Sequence, residues 1–568
     1  MRPEDLTKDL GLMVREAEEK ASRAGEMVIG HVSRASPAQV SLESRVVSVY
    51  ISFEDYLRSR GRVRVGSYLG ISVPIQRVLI LARVVGVERQ DILSIARLPD
   101  LSGQRDPEGS VTPVLVSVEA VSERSFDGGD TLPALSPIEP QSPVFIPRAS
   151  FLSEMLGLPG SGVLIGSLFE SGVVRGDVGV RLDEKILRHH VLVIGTTGSG
   201  KTTLLTRIFL DPSYQSLALD IQGDYVRRLV GRGGGENYIL LPLTRELVRS
   251  LCRSRACDER FYTEVLPEFY ARLRGLPSPM VVGVESIADH GGVRVGFGKI
   301  ESVLIPFAFR FSEIYPEANR ILPLLSQQAS VFFRSLAEKC VREYTQGRGL
   351  DAFINCISRE GERIKLHKST IDSIARYIIA LANSEVVDVA IGRDLVGEPD
   401  YGALFRGGSK VVLDLGIARD YGSRFAPNMI AYRVLSKVFS YRDELYKSGR
   451  VSDTILLIID EAHEFFPQSG RDFEKEPLEE MINKIMRLGR LRGLGCIMAT
   501  HRPQDLNNLV IELANTKIAL RSDEETLKSI GMEKYTKILE TAPEGLAVIK
   551  THGYRVPELT IRVSPPEQ

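Results

Sequence analysis

Gly195-Thr196-Thr197-Gly198-Ser199-Gly200-Lys201-Thr202 satisfies the pattern G-x-x-x-x-G-K-[ST] at every constrained position. It follows the apolar run Val191–Ile194 and leads into the helix-compatible stretch Thr203–Phe209. Glycines at these positions let a backbone wrap so that its N–H groups converge on phosphate oxygens at a helix N-terminus. In such a loop, running from Gly195 to Thr203, Lys201 contacts the β- and γ-phosphates of ATP and Thr202 offers its hydroxyl to Mg²⁺. The bland alternative is a glycine-rich strand–helix turn with a chance lysine. The strand before it and the helix after it argue against that.

A second run, Ile455-Leu456-Leu457-Ile458-Ile459, ends in Asp460-Glu461. Five apolar residues read as a buried strand, and open α/β sheets bind ligands at the carboxyl ends of their strands. Adjacent side chains point to opposite sides, so the two acids can divide the work. Asp460 would complete the Mg²⁺ shell and Glu461 would polarise the attacking water. Asp460-Glu461-Ala462-His463 also spells the string of DEAH helicases, but those enzymes keep it much closer to the phosphate loop. Cys496–Thr500 is a third strand, and Thr500 and His501 at its end are placed to sense the γ-phosphate through that water. The alternative is an ordinary strand end turning at Pro503.

On a helical wheel over Pro477–Arg492, Leu478, Met481, Ile482, Ile485 and Met486 share one face, with Arg487 and Arg490 opposite. That cationic face is either simply solvated or delivers Arg490, with Arg487 second, to a neighbouring subunit's γ-phosphate. Arg188 is a further candidate for that role. Asp220, at the end of the run Ser216–Asp220, either assists metal or water or caps the next helix. Beyond it Arg227, Arg228 and Arg232, with Gly231 and Gly233–Gly235, read as a flexible basic loop. Such a loop suits contact with nucleic-acid phosphates or is an ordinary surface turn.

These residues need a frame, and 568 residues supply one, enough for about three to five domains. The balance of 72 Lys+Arg against 73 Asp+Glu excludes a globally basic coat but leaves room for a local basic channel. No run approaches the ~20 apolar residues of a membrane span, and the acidic first twenty residues are not a secretory signal. Five cysteines without a C-x-x-C pair predict a reduced, cytoplasmic chain with neither disulfides nor a zinc site.

The elements read as a charged helix (1–24), a β-rich module closing into a small barrel (25–118), and a Pro/Ser/Gly-rich connection with the first core strands (119–185). An α/β core follows in two parts, 186–243 and 405–553, split by a helical insertion (244–404) and trailed by a tail (554–568). Several core runs are apolar on both faces, as in a parallel sheet covered by helices.

Together the motifs resemble the HerA family of archaeal hexameric DNA translocases, in the FtsK–HerA branch of ASCE P-loop ATPases. The resemblance runs over nearly the whole chain. It is carried by Arg188-His189-His190-Val191 into the phosphate loop, Asp220–Tyr225, Ile459–Pro467, Arg487–Gly495, Ala499–Pro503, Pro543–Ala547 and Arg555–Pro557. It implies an α/β fold, a RecA-like P-loop ATPase core with a helical insertion, preceded by a small N-terminal β-barrel. It also implies a homo-hexameric ring with ATP sites between subunits, linear duplex DNA ends threaded through it, and a NurA-type nuclease partner in double-strand break repair. His501 stands where the family has glutamine, and Gln222 and Asp224 replace histidine and glutamate. A paralogue serving secretion, conjugation or other DNA processing would keep the same motifs, as would a non-motor nucleotide switch.

Overall fold

Val114, Val116, Val118 and Ala120 are buried at alternate positions, the period-2 signature of a strand with one face in a core. They belong to a computed structural model that describes residues 3–565 except 37, 42–44, 90–110, 232–235, 253–259, 288–289, 299, 345–348 and 468–471. The chain divides into two compact units, one of residues 1–183 with 545–564 and the other of 184–544 with 565–568.

The first unit opens with helix α1 (Pro3–Ala24). Its strands are β1 (Gly25–Val32), β2 (Val46–Ile51), β3 (Tyr68–Val73), β4 (Val78–Arg89), β5 (Val114–Ser125), β6 (Leu132–Pro133) and β7 (Pro143–Pro147). They pair antiparallel in the order β2-β1-β7-β3-β4-β5-β6, and a further β2–β5 ladder closes six of them into a barrel. Ile29, Val49, Ile71, Ile80, Val116 and Val144 lie in its core. Closure removes the exposed edges that an open sheet would leave. At Gly70 a Cβ would stand 2.2 Å from the Phe145 ring, so only glycine lets β3 lie this close to β7.

The barrel reaches further than its expected end at 118. The rest of β5, β6 and β7 come from the stretch expected to be a connection. Prolines bracket β7 and leave only Val144-Phe145-Ile146 as a strand signal. The same unit holds β8 (Val163–Glu170) and β9 (Val173–Leu182) in an antiparallel sheet with Leu546–Lys550 and Glu558–Val563. Residues expected as a tail thus include a paired strand.

The second unit is built on β10 (Val191–Ile194), β11 (Gln215–Asp220), β12 (Asn237–Pro242), β13 (Pro279–Ile287), β14 (His290–Phe297) and β15 (Ile300–Phe307). It continues with the short pair β16 (Ala390–Ile391) and β17 (Asp394–Leu395), then β18 (Lys410–Asp414), β19 (Ile455–Ile459), β20 (Leu494–Thr500) and β21 (Thr516–Ala519). The sheet order is β13-β14-β15-β12-β18-β11-β19-β20-β10-β21. From β15 to β21 every neighbouring pair is parallel. Every residue of β10, β11, β18, β19 and β20 is buried, which explains the apolar runs at their centres. Helices α2 (Lys201–Phe209) and α3 (Asp224–Val230) follow β10 and β11 directly.

The insertion carries α4 (Leu266–Arg274), α5 (Gln327–Glu343), α6 (Gly349–Arg363) and α7 (Lys368–Ala382). It is not helical throughout, because β13–β15 extend the sheet from within it; glycines among the valines of β13 and β14 blur the alternation. Helix α5 starts at the Ser326 cap and α7 at the His367 cap. A disulfide joins Cys340 of α5 to Cys356 of α6, and Cys252 is disulfide-bonded too. This corrects the expectation of a reduced chain: sixteen residues of separation become a Cα–Cα distance of 5.7 Å once the helices pack. Cys496 is free and buried, and Cys257 lies outside the described residues. Among the described residues no helix is long and apolar enough to cross a membrane.

One buried ion pair fastens the insertion to the sheet. Arg274, at the end of α4, donates to both oxygens of Asp414 at the end of β18, its Nε at 2.7 Å, and Tyr270 donates its hydroxyl at 2.8 Å. Arg274 and Asp414 are 6% and 0% exposed. Removing one partner strands the other's charge away from water. Arg274→Met is therefore expected to destabilise this unit by about 3–5 kcal/mol, read as a lower urea midpoint. An unchanged midpoint would show that the pair is not holding the insertion.

Candidate functional site

Parallel register sets the site. Ile194, the last residue of β10, pairs with Thr500, the last of β20, and β20 pairs with β19 on its other side. The ends of β10, β20 and β19 therefore stand in a row. They deliver the phosphate loop, Thr500-His501 and Asp460-Glu461 to one edge of the sheet.

The loop leaves β10 at Gly195, where a Cβ would come within 2.5 Å of the Ser199 Oγ. Gly198 and Gly200 adopt φ of 72° and 106°, conformations that disfavour any side chain. Thr196 is fixed from below, its N–H donating to the Arg521 carbonyl at 2.8 Å. Thr197 is exposed, and Thr202 and Thr203 are half-buried on the first turn of α2. Lys201 is 5% exposed and donates to the carbonyls of Gly195 at 2.9 Å and Thr196 at 3.3 Å. The Ser199 hydroxyl is buried without a hydrogen-bond partner. A buried ammonium resting on its own loop and an orphaned hydroxyl beside it fit a cradle for phosphate oxygens.

Across the loop, Thr202 Oγ1 donates to Asp460 Oδ2 at 2.9 Å, and the Tyr225 hydroxyl donates to the same oxygen at 3.2 Å. Burial raises the Asp460 carboxyl above its usual range, and the bond from Thr202 pulls it back down. A hydroxyl and a carboxylate brought to one point are the oxygen donors Mg²⁺ prefers, so these residues fit that ion. Glu461 has φ 47° and ψ 51°, a left-handed conformation costing about 1–3 kcal/mol in a non-glycine residue. Its Oε1 lies 4.0 Å from Lys201 Nζ. Its Oε2 lies 3.0 Å from His501 Nδ1 and 3.5 Å from His463 Nδ1. The two imidazoles meet edge to face at 4.5 Å between ring centres. A cleft of about 160 Å³ beside these groups is lined by Thr202, Asp220, Gln222, Asp224, Asp460 and Glu461.

The other expected residues divide differently. Both oxygens of Asp220 accept backbone N–H bonds, from Gly223, Asp224, Tyr225 and Val226 at 2.7–3.2 Å. Of the two roles open to Asp220, the geometry takes the capping one: it pins the start of α3. Burial, then the neighbouring Asp414 charge, pushes its carboxyl up to about 6. That cap also explains why Arg227 and Arg228 sit on a helix and not on the expected loop. Arg227 is exposed and paired with Asp224 at 2.8 Å, Arg228 is half-buried, and Arg232 lies outside the described residues. Arg487 and Arg490 are exposed, with Arg490 Nη1 3.4 Å from His189 Nε2. Arg188 is tied within its own chain to Thr454 at 2.7 Å and Glu184 at 2.6 Å.

Sequence reasoning passed over His463, Tyr225 as a partner of Asp460, and His190. A histidine four residues past a buried strand signals nothing until its neighbours on β20 are known. His190 is 3% exposed with φ 64°. Its Nδ1 accepts the Cys496 N–H at 3.0 Å, so its Nε2–H donates to the Met486 carbonyl at 2.8 Å. It anchors the start of the strand that presents the phosphate loop. Burial lowers its pKa to about 4. The folded chain holds it neutral while the unfolded chain protonates it below about 6.5, so its contribution to stability is lost as pH falls from 6.5 to 4. The full swing is about 3 kcal/mol. Urea midpoints measured from pH 7 to 4 should fall less steeply for His190→Asn, which also tolerates positive φ, than for the parent. Parallel curves would contradict the assignment.

A family model described as "Helicase HerA, central domain" matches residues 163–434. The chain is 24% identical over 418 residues to the DNA double-strand break repair helicase HerA of Pyrococcus furiosus, covering 70% of this chain and 67% of that protein. It is 23% identical over 460 residues to the probable HerA repair helicase of Methanocaldococcus jannaschii, covering 73% and 78%. Among solved structures, VirB4 of Thermoanaerobacter pseudethanolicus is similar over 72% of this chain and 97% of that one, at 12% identity and a TM-score of 0.42, too loose a likeness to carry function. The chain is thus similar to HerA helicases in its central domain and, at 23–24% identity, over most of its length.

Proposed function

We propose that this chain is an ATP-driven DNA motor: a helicase or translocase that acts as a six-membered ring on linear duplex ends, with a NurA-type nuclease as partner in break repair. The observation that carries this reading is the grouping of Lys201, Thr202, Asp460 and Glu461 at the carboxyl ends of β10 and β19. The relatives named DNA double-strand break repair helicases support the choice of DNA as the track.

In this mechanism the N–H groups of Gly195–Thr203 wrap the triphosphate, and Lys201 exchanges its loop carbonyls for phosphate oxygens. Thr202 and Asp460 would hold Mg²⁺, which supplies positive charge to the phosphates. The Tyr225 hydroxyl keeps Asp460 Oδ2 aimed at Thr202. Glu461 accepts a hydrogen bond from the attacking water and draws its proton away. His501 fixes the orientation of Glu461 where the family uses glutamine. Arg490, exposed beside His189 Nε2, reaches the γ-phosphate of the adjoining subunit. Arg188 is the weaker candidate for that task, since it would first have to leave Glu184 and Thr454. Arg227, Arg228 and Arg232 are the proposed contacts to DNA phosphates, and a ring multiplies each of them sixfold.

ATP turnover measured with and without linear duplex DNA tests the whole reading. Turnover should rise with DNA and that rise should fade with added salt. Lys201→Ala should abolish hydrolysis, and Glu461→Gln should bind ATP while turnover falls by about 10²–10⁴-fold. Turnover indifferent to DNA would refute the motor, and near-normal turnover in Glu461→Gln would refute the role of that acid.

A further inference from the structure

Both imidazoles near Glu461 point an Nδ1 at the same oxygen, Oε2, while Lys201 faces Oε1. A carboxylate serving only to polarise water needs one orienting neighbour. Two nitrogen donors converging on it is the arrangement of a metal site.

We propose that Glu461, His463 and His501 form a second cation site, for a first-row transition ion of the Zn²⁺ class, and that filling it withdraws Glu461 from hydrolysis. The withdrawal rests on the function proposed above; the binding does not. Three donor atoms, one from each residue, lie within 4.8 Å of one another. Bonds of about 2.0–2.1 Å to a tetrahedral ion set its donors about 3.4 Å apart. The two distances to Glu461 Oε2, 3.0 and 3.5 Å, already bracket that spacing, so small side-chain rotations close the site.

The donor set separates this site from the one beside it. Two imidazoles and one carboxylate with an open fourth position suit Zn²⁺, Co²⁺ or Ni²⁺, whereas the hydroxyl and carboxylate of Thr202 and Asp460 suit Mg²⁺. His463 has further features of a ligand. Its Nε2 lies 3.5 Å from the Glu464 carboxylate, the outer partner that orients metal-binding histidines. Its Nδ1 also meets the Thr500 hydroxyl at 3.4 Å, a weak contact to displace. With the glutamine expected at position 501, one of the two nitrogen donors would be missing, so the site belongs to this chain's departure from the family pattern.

Competition with a chromophoric chelator, on metal-stripped, nucleotide-free full-length protein in thiol-free buffer, measures Zn²⁺ binding directly. One Zn²⁺ per chain is expected, weakened at least tenfold in His501→Gln and in His463→Ala, with Co²⁺ giving a four-coordinate visible spectrum. His501 is partly exposed, so the first variant keeps the test informative if the buried substitution fails to fold. No binding, or binding equal in the parent and His501→Gln, would overturn the site. Under saturating MgATP, Zn²⁺ should suppress parental turnover over the range in which the site fills, and His501→Gln should need at least tenfold more, each relative to its own zinc-free rate. Stoichiometric binding with turnover untouched would overturn the withdrawal of Glu461. Binding that follows these substitutions in a chain without any ATP turnover would leave the cation site standing and refute the motor.

Discussion

The end of β19 is the constraint on which the rest of the structure depends. One fully buried strand must present two adjacent carboxylates to two different tasks. It does so because the backbone turns left-handed at Glu461. Asp460 stays with Thr202 and Tyr225, and Glu461 is swung toward β20 and its histidine. The strand's alternation ends there, and the left-handed turn sets the direction in which Glu461 leaves it. The strain persists because the hydrogen bond from the Glu461 N–H to Asp460 Oδ1, at 3.0 Å, and the packed strands around it hold the turn.

Placing β20 between β10 and β19 turns that local geometry into a site. The phosphate loop and the acid pair are not on adjacent strands, and the gap between them is filled by Thr500 and His501. Whatever binds the loop therefore faces a polar strand end and not an apolar wall. Buried charge is costly, and this unit concentrates it along one edge of the sheet. Lys201, Asp460, Asp220, Asp414 and Arg274 are each paired or multiply hydrogen-bonded there. Such networks are weak devices for stability but strong ones for fixing a single geometry.

The parts legible in the sequence were those whose signal is local. Glycine spacing and a preceding apolar run were enough for Gly195–Thr202, and five consecutive apolar residues were enough for β19. Strands with one buried face were readable where alternation was clean, as at Val114–Ala120, and unreadable at Val144–Ile146, where three residues stand between prolines. The glycine-interrupted valines of β13 and β14 hid these two strands inside an insertion that otherwise reads as helical. What stayed hidden was contact between distant segments. The pairing of Cys340 with Cys356 depends on how two helices pack. The meeting of His463 with His501 depends on which strand neighbours β19, and sequence spacing does not encode that.

The division of labour between Asp460 and Glu461 is the central claim, and Mn²⁺ in place of Mg²⁺ reads it most directly. Electron paramagnetic resonance titration of Mn²⁺ into the complex with a non-hydrolysable ATP analogue gives the ion's affinity without any turnover. Asp460→Asn should weaken Mn²⁺ by about tenfold or more, and Glu461→Gln should leave it within about twofold of the parent. Loss of Mn²⁺ affinity in Glu461→Gln, with Asp460→Asn unaffected, would contradict the account.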